Sequence, residues 1–212
     1  DDRLRKECVS LHNLGRNPII IALTDSNKSE CGLTDYKIPF QLLSLSTRKI
    51  FKHRVGLFFK LLEMYVRFIY LILLKRPQIL WIHDIEMIGL VPFGWLLKKL
   101  GIIDKLIWDH HELPPSTVLN NSFKRFIFRH ILNMCNAIII ANRERRDYML
   151  LHFGINNVEL FHVLENFVDK AFASKPKGTL PDNLARWLNN EPYMIALGGA
   201  NPGRYIDELV EA

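Results

Sequence analysis

From Pro77 onward, short solid apolar runs alternate with segments of helical period, and few folds accept that rhythm. The runs are "QILWIH" (78–83), "KLIWDH" (105–110), "AIIIAN" (137–142) and "VELFHV" (158–163). Between them lie "EMIGLVPFGWLLKKLG", closing at Gly101, "NSFKRFIFRHILNMC", and "RERRDYMLLHFG", closing at Gly154. A run that is apolar throughout reads as a strand buried on both faces. Strand–helix alternation of this kind predicts an α/β fold, a Rossmann-like parallel sheet with right-handed crossovers. Ligands of such sheets bind beyond the carboxyl ends of the strands.

Upstream the pattern is less regular. "RLRKECVSLHNLG" predicts a helix with Leu4, Cys8 and Leu11 on one face and Gly15 as its stop. "PIIIAL" (18–23) predicts a buried strand, and "YKIPFQLLSL" a weaker one because it contains Pro39. Residues 49–75 read as one long helix. At 100° per residue, Lys49, Lys52, Gly56, Lys60, Glu63 and Arg67 share a narrow stripe and the rest is apolar. The sheet and neighbouring helices are the expected cover for that apolar surface, with peripheral membrane contact as the second reading. Neither this segment nor "MIGLVPFGWLL" (87–97) satisfies the roughly 20 uninterrupted apolar residues of a membrane span.

The net charge of +6 favours anionic partners, but no Lys/Arg run is long enough to predict nucleic-acid binding. Three scattered cysteines without C-x-x-C spacing argue against a disulfide framework or a thiolate zinc site and fit a reducing, cytoplasmic setting. The polar, proline-bearing stretch 172–191 reads as a connector between a first domain, 1–171, and a strand–turn–helix unit at 192–212.

The chemistry gathers at the strand ends. "WIHDIE" supplies His83 and Asp84, with Asp84 also a candidate helix cap. "WDHHELPP" supplies Asp109, His110, His111 and Glu112, side chains suited to holding sugar hydroxyls and moving protons near neutrality. "IIIANRERRD" adds Asn142 and Arg143. These three groups are expected to line one crevice. "LGGANPGR" (197–204) is a glycine turn between a strand and a helix, a shape that admits phosphate to backbone N–H groups.

Taken in order, these motifs resemble those of GT-B glycosyltransferases of the retaining family 4 type. The resemblance rests on "DDRLRKECVSLHNLG", "LWIHD", "WDHHEL", "AIIIANRERRDYMLLHFG", "VLENFVD" and "GGANPGRYIDELVEA". Asn142, Glu165 and Tyr205 stand where Ser, Pro and Gly are usual. The resemblance implies transfer of a sugar from a nucleotide-sugar donor to an acceptor, with no metal or other cofactor; the basic surface and the apolar helix at 49–75 fit a sugar, lipid-linked or cell-envelope acceptor at the inner membrane face. It implies His83, His111 and Glu112 as catalytic. Asp84, Asp109, His110, Asn142 and Arg143 would bind substrate, and Gly198, Gly199, Gly203 and Arg204 the donor. It further implies a first strand preceding Asp1 and a donor domain cut short, so that the chain alone would be inactive. Two other readings compete: a metal-dependent phosphoesterase with the Asp-His-His motif at 109–111, and a non-catalytic scaffold of the same fold.

Overall fold

A computed structural model describes residues 2–50, 55–110 and 112–165. The chain divides into two compact units, Asp1–Phe167 and Val168–Ala212. The described residues all lie in the first. The sequence expectations for a connector at 172–191 and a glycine-turn unit at 192–212 fall outside them.

The unit is mixed α/β. Helix α1 (Asp2–Asn13) leads to strands β1 (Ile20–Leu23), β2 (Glu30–Leu33) and β3 (Pro39–Leu43), followed by helices α2 (Thr47–Ile50) and α3 (Val55–Lys75). Then come β4 (Ile79–His83), a 3-10 turn at Ile85–Met87, α4 (Leu90–Lys99) and β5 (Lys105–Asp109). Helices α5 (Ser116–Leu119) and α6 (Ser122–Met134), strand β6 (Ala137–Ile140), helix α7 (Arg143–Phe153), a 3-10 turn at Val158–Leu160 and strand β7 (Phe161–Val163) complete it.

Strands β4, β5, β6 and β7 form an all-parallel sheet in chain order, Rossmann-like in general kind. This is the arrangement that the alternation after Pro77 predicts. Helix ends obey local chemistry. Asn121 and Asn142 cap α6 and α7 through hydrogen bonds their side chains accept from Lys124 N and Arg145 N, both at 2.9 Å. Gly154 closes α7 in the left-handed conformation, φ 59°. Gly94 lets α4 approach the sheet closely, because a Cβ there would stand 2.8 Å from a Leu106 methyl. The core under these helices holds Ile82, Val91, Leu106, Trp108, Leu132 and Ile138.

The amino-terminal strands depart from expectation. They form a separate three-stranded sheet of order β1-β3-β2, with β1 parallel and β2 antiparallel to β3. The strand demoted for Pro39 is the central one. Proline is tolerated because it occupies the first residue, at the end of the ladder. Conversely, β1 is an outer strand and only half-buried, not covered on both faces.

Helix α3 is also covered less than its composition predicts. Met64, Phe68, Leu71 and Ile72 are buried, while the opposite face, also apolar, is open to solvent. The polar stripe has a definite task. Glu63 accepts hydrogen bonds from Ser46 N (2.9 Å), Thr47 N (2.8 Å) and Thr47 Oγ1 (2.6 Å), and pairs with Arg67 at 2.7 Å. Among the described residues no helix is long and apolar enough to cross a membrane.

Candidate functional site

The polar ends of β4 and β5 are brought side by side by register, with His83 opposite Asp109. The pleat then divides these residues into two groups. Alternate side chains of a strand point to opposite faces, so His83 and Asp109 share one face and His110 takes the other. The sequence expectation of a single crevice is corrected accordingly.

On the first face the sheet meets α1. Asp109 is fully buried, and Arg3 donates to it twice, Nη2 to Oδ1 at 3.0 Å and Nε to Oδ2 at 3.1 Å. The same Nε donates to Glu7 Oε1 at 3.0 Å. His83, its ring stacked on Trp81 at 5.8 Å, places Nδ1 3.5 Å from Asp109 Oδ2 and Nε2 3.7 Å from Glu7 Oε2. Burial, and then the charge of Asp109, pushes the Glu7 carboxyl up to about 7. Burial likewise raises Asp109, to about 6, against the pull of Arg3. One guanidinium thus faces two buried carboxyls that are reluctant to ionise together.

By donor type and proximity, Glu7, His83 and Asp109 are the described residues able to surround a metal ion, their ligand atoms lying within 4.8 Å of one another. Arg3 already supplies a fixed cation hydrogen-bonded to both carboxyls. A divalent ion would have to displace it, so the trio fits a protonic, not a metallic, centre.

On the other face, His110 is 1% exposed and stacks on Trp108 at 4.9 Å and against Phe128 at 5.6 Å. It forms a wall of a crevice of about 370 Å³ together with Asp84, Ile85, Glu86 and Glu112. These residues come from the loops that follow β4 and β5, the position expected of a ligand site in a parallel sheet.

Asp84 shapes this crevice through its backbone. Its φ of 66° and ψ of 156° belong to a region that is essentially glycine's own. The conformation is held from both sides: Asp84 N donates to Asp109 O at 3.2 Å, and Trp108 Nε1 donates to Asp84 O at 3.2 Å. The Asp84 side chain makes no capping hydrogen bond to the turn that follows, so the cap reading of this residue does not hold.

The remaining sequence candidates separate. Asn142 commits its side-chain oxygen to capping α7, and Arg143 is exposed at that helix's first residue. Neither is among the described walls of the crevice. His111, Gly198, Gly199, Gly203 and Arg204 lie outside the described residues. The sequence carries Arg3 in the Asp-x-Arg of its amino-terminal motif but offers no site role for it, and Glu7 is not among the sequence candidates. Their i,i+4 spacing, which puts a basic and an acidic residue on one helix face, was the available signal.

A second groove, of about 280 Å³, lies between α1 and the sheet, with Trp81, Leu11 and Leu164 among its walls. No protein-family model and no curated protein matches the chain.

Proposed function

We propose that this chain carries the acceptor-side domain of a GT-B-type glycosyltransferase of the retaining family 4 type. It would move a sugar from a nucleotide-sugar donor to a hydroxyl acceptor. In that transfer the C1–O bond to the nucleoside diphosphate breaks and a C1–O bond to the acceptor oxygen forms. The acceptor's hydroxyl proton leaves with the diphosphate.

The observation that carries the reading is the crevice beyond β4 and β5, whose walls include Asp84, Glu86, Glu112 and His110. Carboxylates accept hydrogen bonds from hydroxyls, and imidazole both donates and accepts. Three carboxylates around one crevice repel phosphate, so it suits the hydroxyl-rich part of a substrate. The diphosphate then belongs elsewhere, in keeping with the expected roles of Gly198, Gly199, Gly203 and Arg204. The buried trio of Arg3, Glu7 and Asp109 holds His83 on the opposite face of the sheet from the crevice, so it braces the strand ends behind the site without lining it.

The phosphoesterase reading draws less support. Asp109 and His110 project to opposite faces, and Arg3 engages the aspartate that a metal would need. The test, made on the full-length enzyme with its donor domain complete, is release of nucleoside diphosphate from uridine, guanosine and adenosine diphosphate hexoses. Release that falls in Glu112→Gln and Asp84→Asn, with unchanged circular dichroism, is the expected result. Failure to bind or cleave any nucleotide sugar, with manganese-dependent phosphodiester cleavage instead, overturns the proposal.

A further inference from the structure

Helix α3 has a solvent face built as if it were a core face. Phe58, Leu62, Val66, Tyr70 and Leu74 follow one another at intervals of four residues, each between 50% and 67% exposed. Phe59 and Leu73 widen the row on its flanks and are exposed too. Five residues at i+4 spacing form a continuous ridge about 24 Å long. Single exposed apolar residues are ordinary, but a contiguous ridge of this size marks a contact surface.

Charge identifies the occupant. Residues 36–83 contain nine Lys or Arg and a single acidic residue, Glu63, which is engaged by Ser46, Thr47 and Arg67. This segment, less than a quarter of the chain, therefore carries a net +8, more than the +6 of the whole chain. Cations flank α3 in the sequence at both ends. Arg48, Lys49, Lys52 and Arg54 precede it, Arg48 being paired with Asp25, while Lys75 and Arg76 stand exposed at its far end. A protein groove complementary to so apolar a ridge would have no need of cations at both ends. An anionic bilayer has use for both features, because its acyl boundary takes the apolar row and its headgroups take the Lys and Arg.

We infer that α3 is an in-plane docking helix that seats this protein on an anionic lipid surface, lying along the membrane without crossing it. Long basic side chains at the helix ends can reach the headgroups while their stems stay along the apolar boundary. The inference does not depend on the sugar-transfer reading, since it requires only the ridge and its charge.

The test is co-sedimentation of the purified protein with two sets of vesicles, one of phosphatidylcholine alone and one of equal parts phosphatidylcholine and phosphatidylglycerol. The expected result is binding at least tenfold tighter to the anionic vesicles, weakened by added salt. Leu62→Glu/Val66→Glu/Tyr70→Glu should abolish it. These positions are exposed, and an unchanged circular dichroism spectrum and melting temperature would establish that the variant folds. Lys75→Glu/Arg76→Glu, which leaves the ridge intact, should reduce anionic binding severalfold. Absence of binding to either vesicle overturns the inference, as does equal binding to both. So does a concentration-dependent dimer, seen by analytical ultracentrifugation without vesicle binding and broken by the triple variant, since a second copy would then be the occupant.

Discussion

Arg3 and Asp109 are 106 positions apart, yet the guanidinium of one meets the carboxylate of the other through two hydrogen bonds of 3.0 and 3.1 Å. This pair ties α1 to the end of β5 and so fixes the floor on which His83 rests. Its strength depends on a third residue, Glu7, which shares the Arg3 Nε.

Removing the cation should expose the conflict it suppresses. Arg3→Met leaves two buried carboxyls facing each other, and breaking a buried ion pair in this way costs about 3–5 kcal/mol. The loss should be largest near pH 7.5 and clearly smaller near pH 5, where both carboxyls hold protons more readily. Urea unfolding at the two pH values checks this. A loss independent of pH would show that packing of the Arg3 stem, and not its charge, is what matters.

The raised carboxyls set the sign of a pH effect. The folded protein holds protons on Glu7 up to about pH 7 and on Asp109 up to about pH 6, whereas the unfolded chain releases them near 4.5 and 3.8. Between those limits the folded state binds more protons, so its stability falls as pH rises. Melting temperature should therefore decline from pH 5 to pH 7.5, and Glu7→Gln should flatten much of the decline. A rising profile would contradict the placement of these groups.

Asp84 allows the cost of its backbone to be weighed against the role proposed for its carboxylate. Its backbone occupies a region that costs a non-glycine residue about 1–3 kcal/mol, held by hydrogen bonds to the flanking Asp109 and Trp108. Asp84→Gly should raise the melting temperature while weakening sugar binding in the crevice. Asp84→Asn should weaken binding without the gain in stability. Thermal melts beside saturation-transfer NMR with simple hexosides separate the two effects. If Asp84→Gly binds as well as the parent, the carboxylate has no part in the site.

Legibility in the sequence followed the strength of the local signal. Strands β4, β5 and β6 are four or five residues that no amphipathic helix would use, and their parallel direction follows from the helices between them. Strand β2, "ECGL", is exposed at every position and has no apolar pattern to read. Its place is decided by pairing with β3, a tertiary event. Arg3 and Glu7 were hidden for a similar reason. Burial of charge is the exception among charged residues, and only the partner across the fold, Asp109, makes it affordable. Asn142 shows the converse, since a capping residue and a ligand-binding residue look alike until the Arg145 N–H is seen to be its partner.

Cysteine reactivity reports on the same packing. Cys31 is exposed, whereas burial pushes Cys135 up to about 12 and raises Cys8 as well. Because the thiolate is the reactive form, iodoacetamide at pH 7.5 should modify Cys31 alone in the folded protein and all three cysteines in denaturant. Mass spectrometry of the peptides decides it. Equal labelling of Cys135 would mean that the end of α6 does not pack against the sheet as described.

Glu63 is the most constrained polar residue on α3. Burial pushes its carboxyl up, but hydrogen bonds from Thr47 and Ser46, with Arg67 beside them, outweigh that and hold it at about 2. A carboxyl lowered in the folded state contributes stability above its unfolded value near 4.5, and that contribution is lost as pH falls toward 2. Acid should therefore loosen the link between α2 and α3 in this window. Glu63→Ala should do the same at neutral pH, at a cost of about 2–3 kcal/mol for hydrogen bonds to a charged acceptor. Limited proteolysis gives the readout, with faster cleavage between positions 44 and 54 in the variant than in the parent. Glu63→Gln, which can still accept from Ser46 N but loses the charge, should fall between them. If cleavage in that segment is as slow in Glu63→Ala as in the parent, the carboxylate is not what holds the start of α2 against α3.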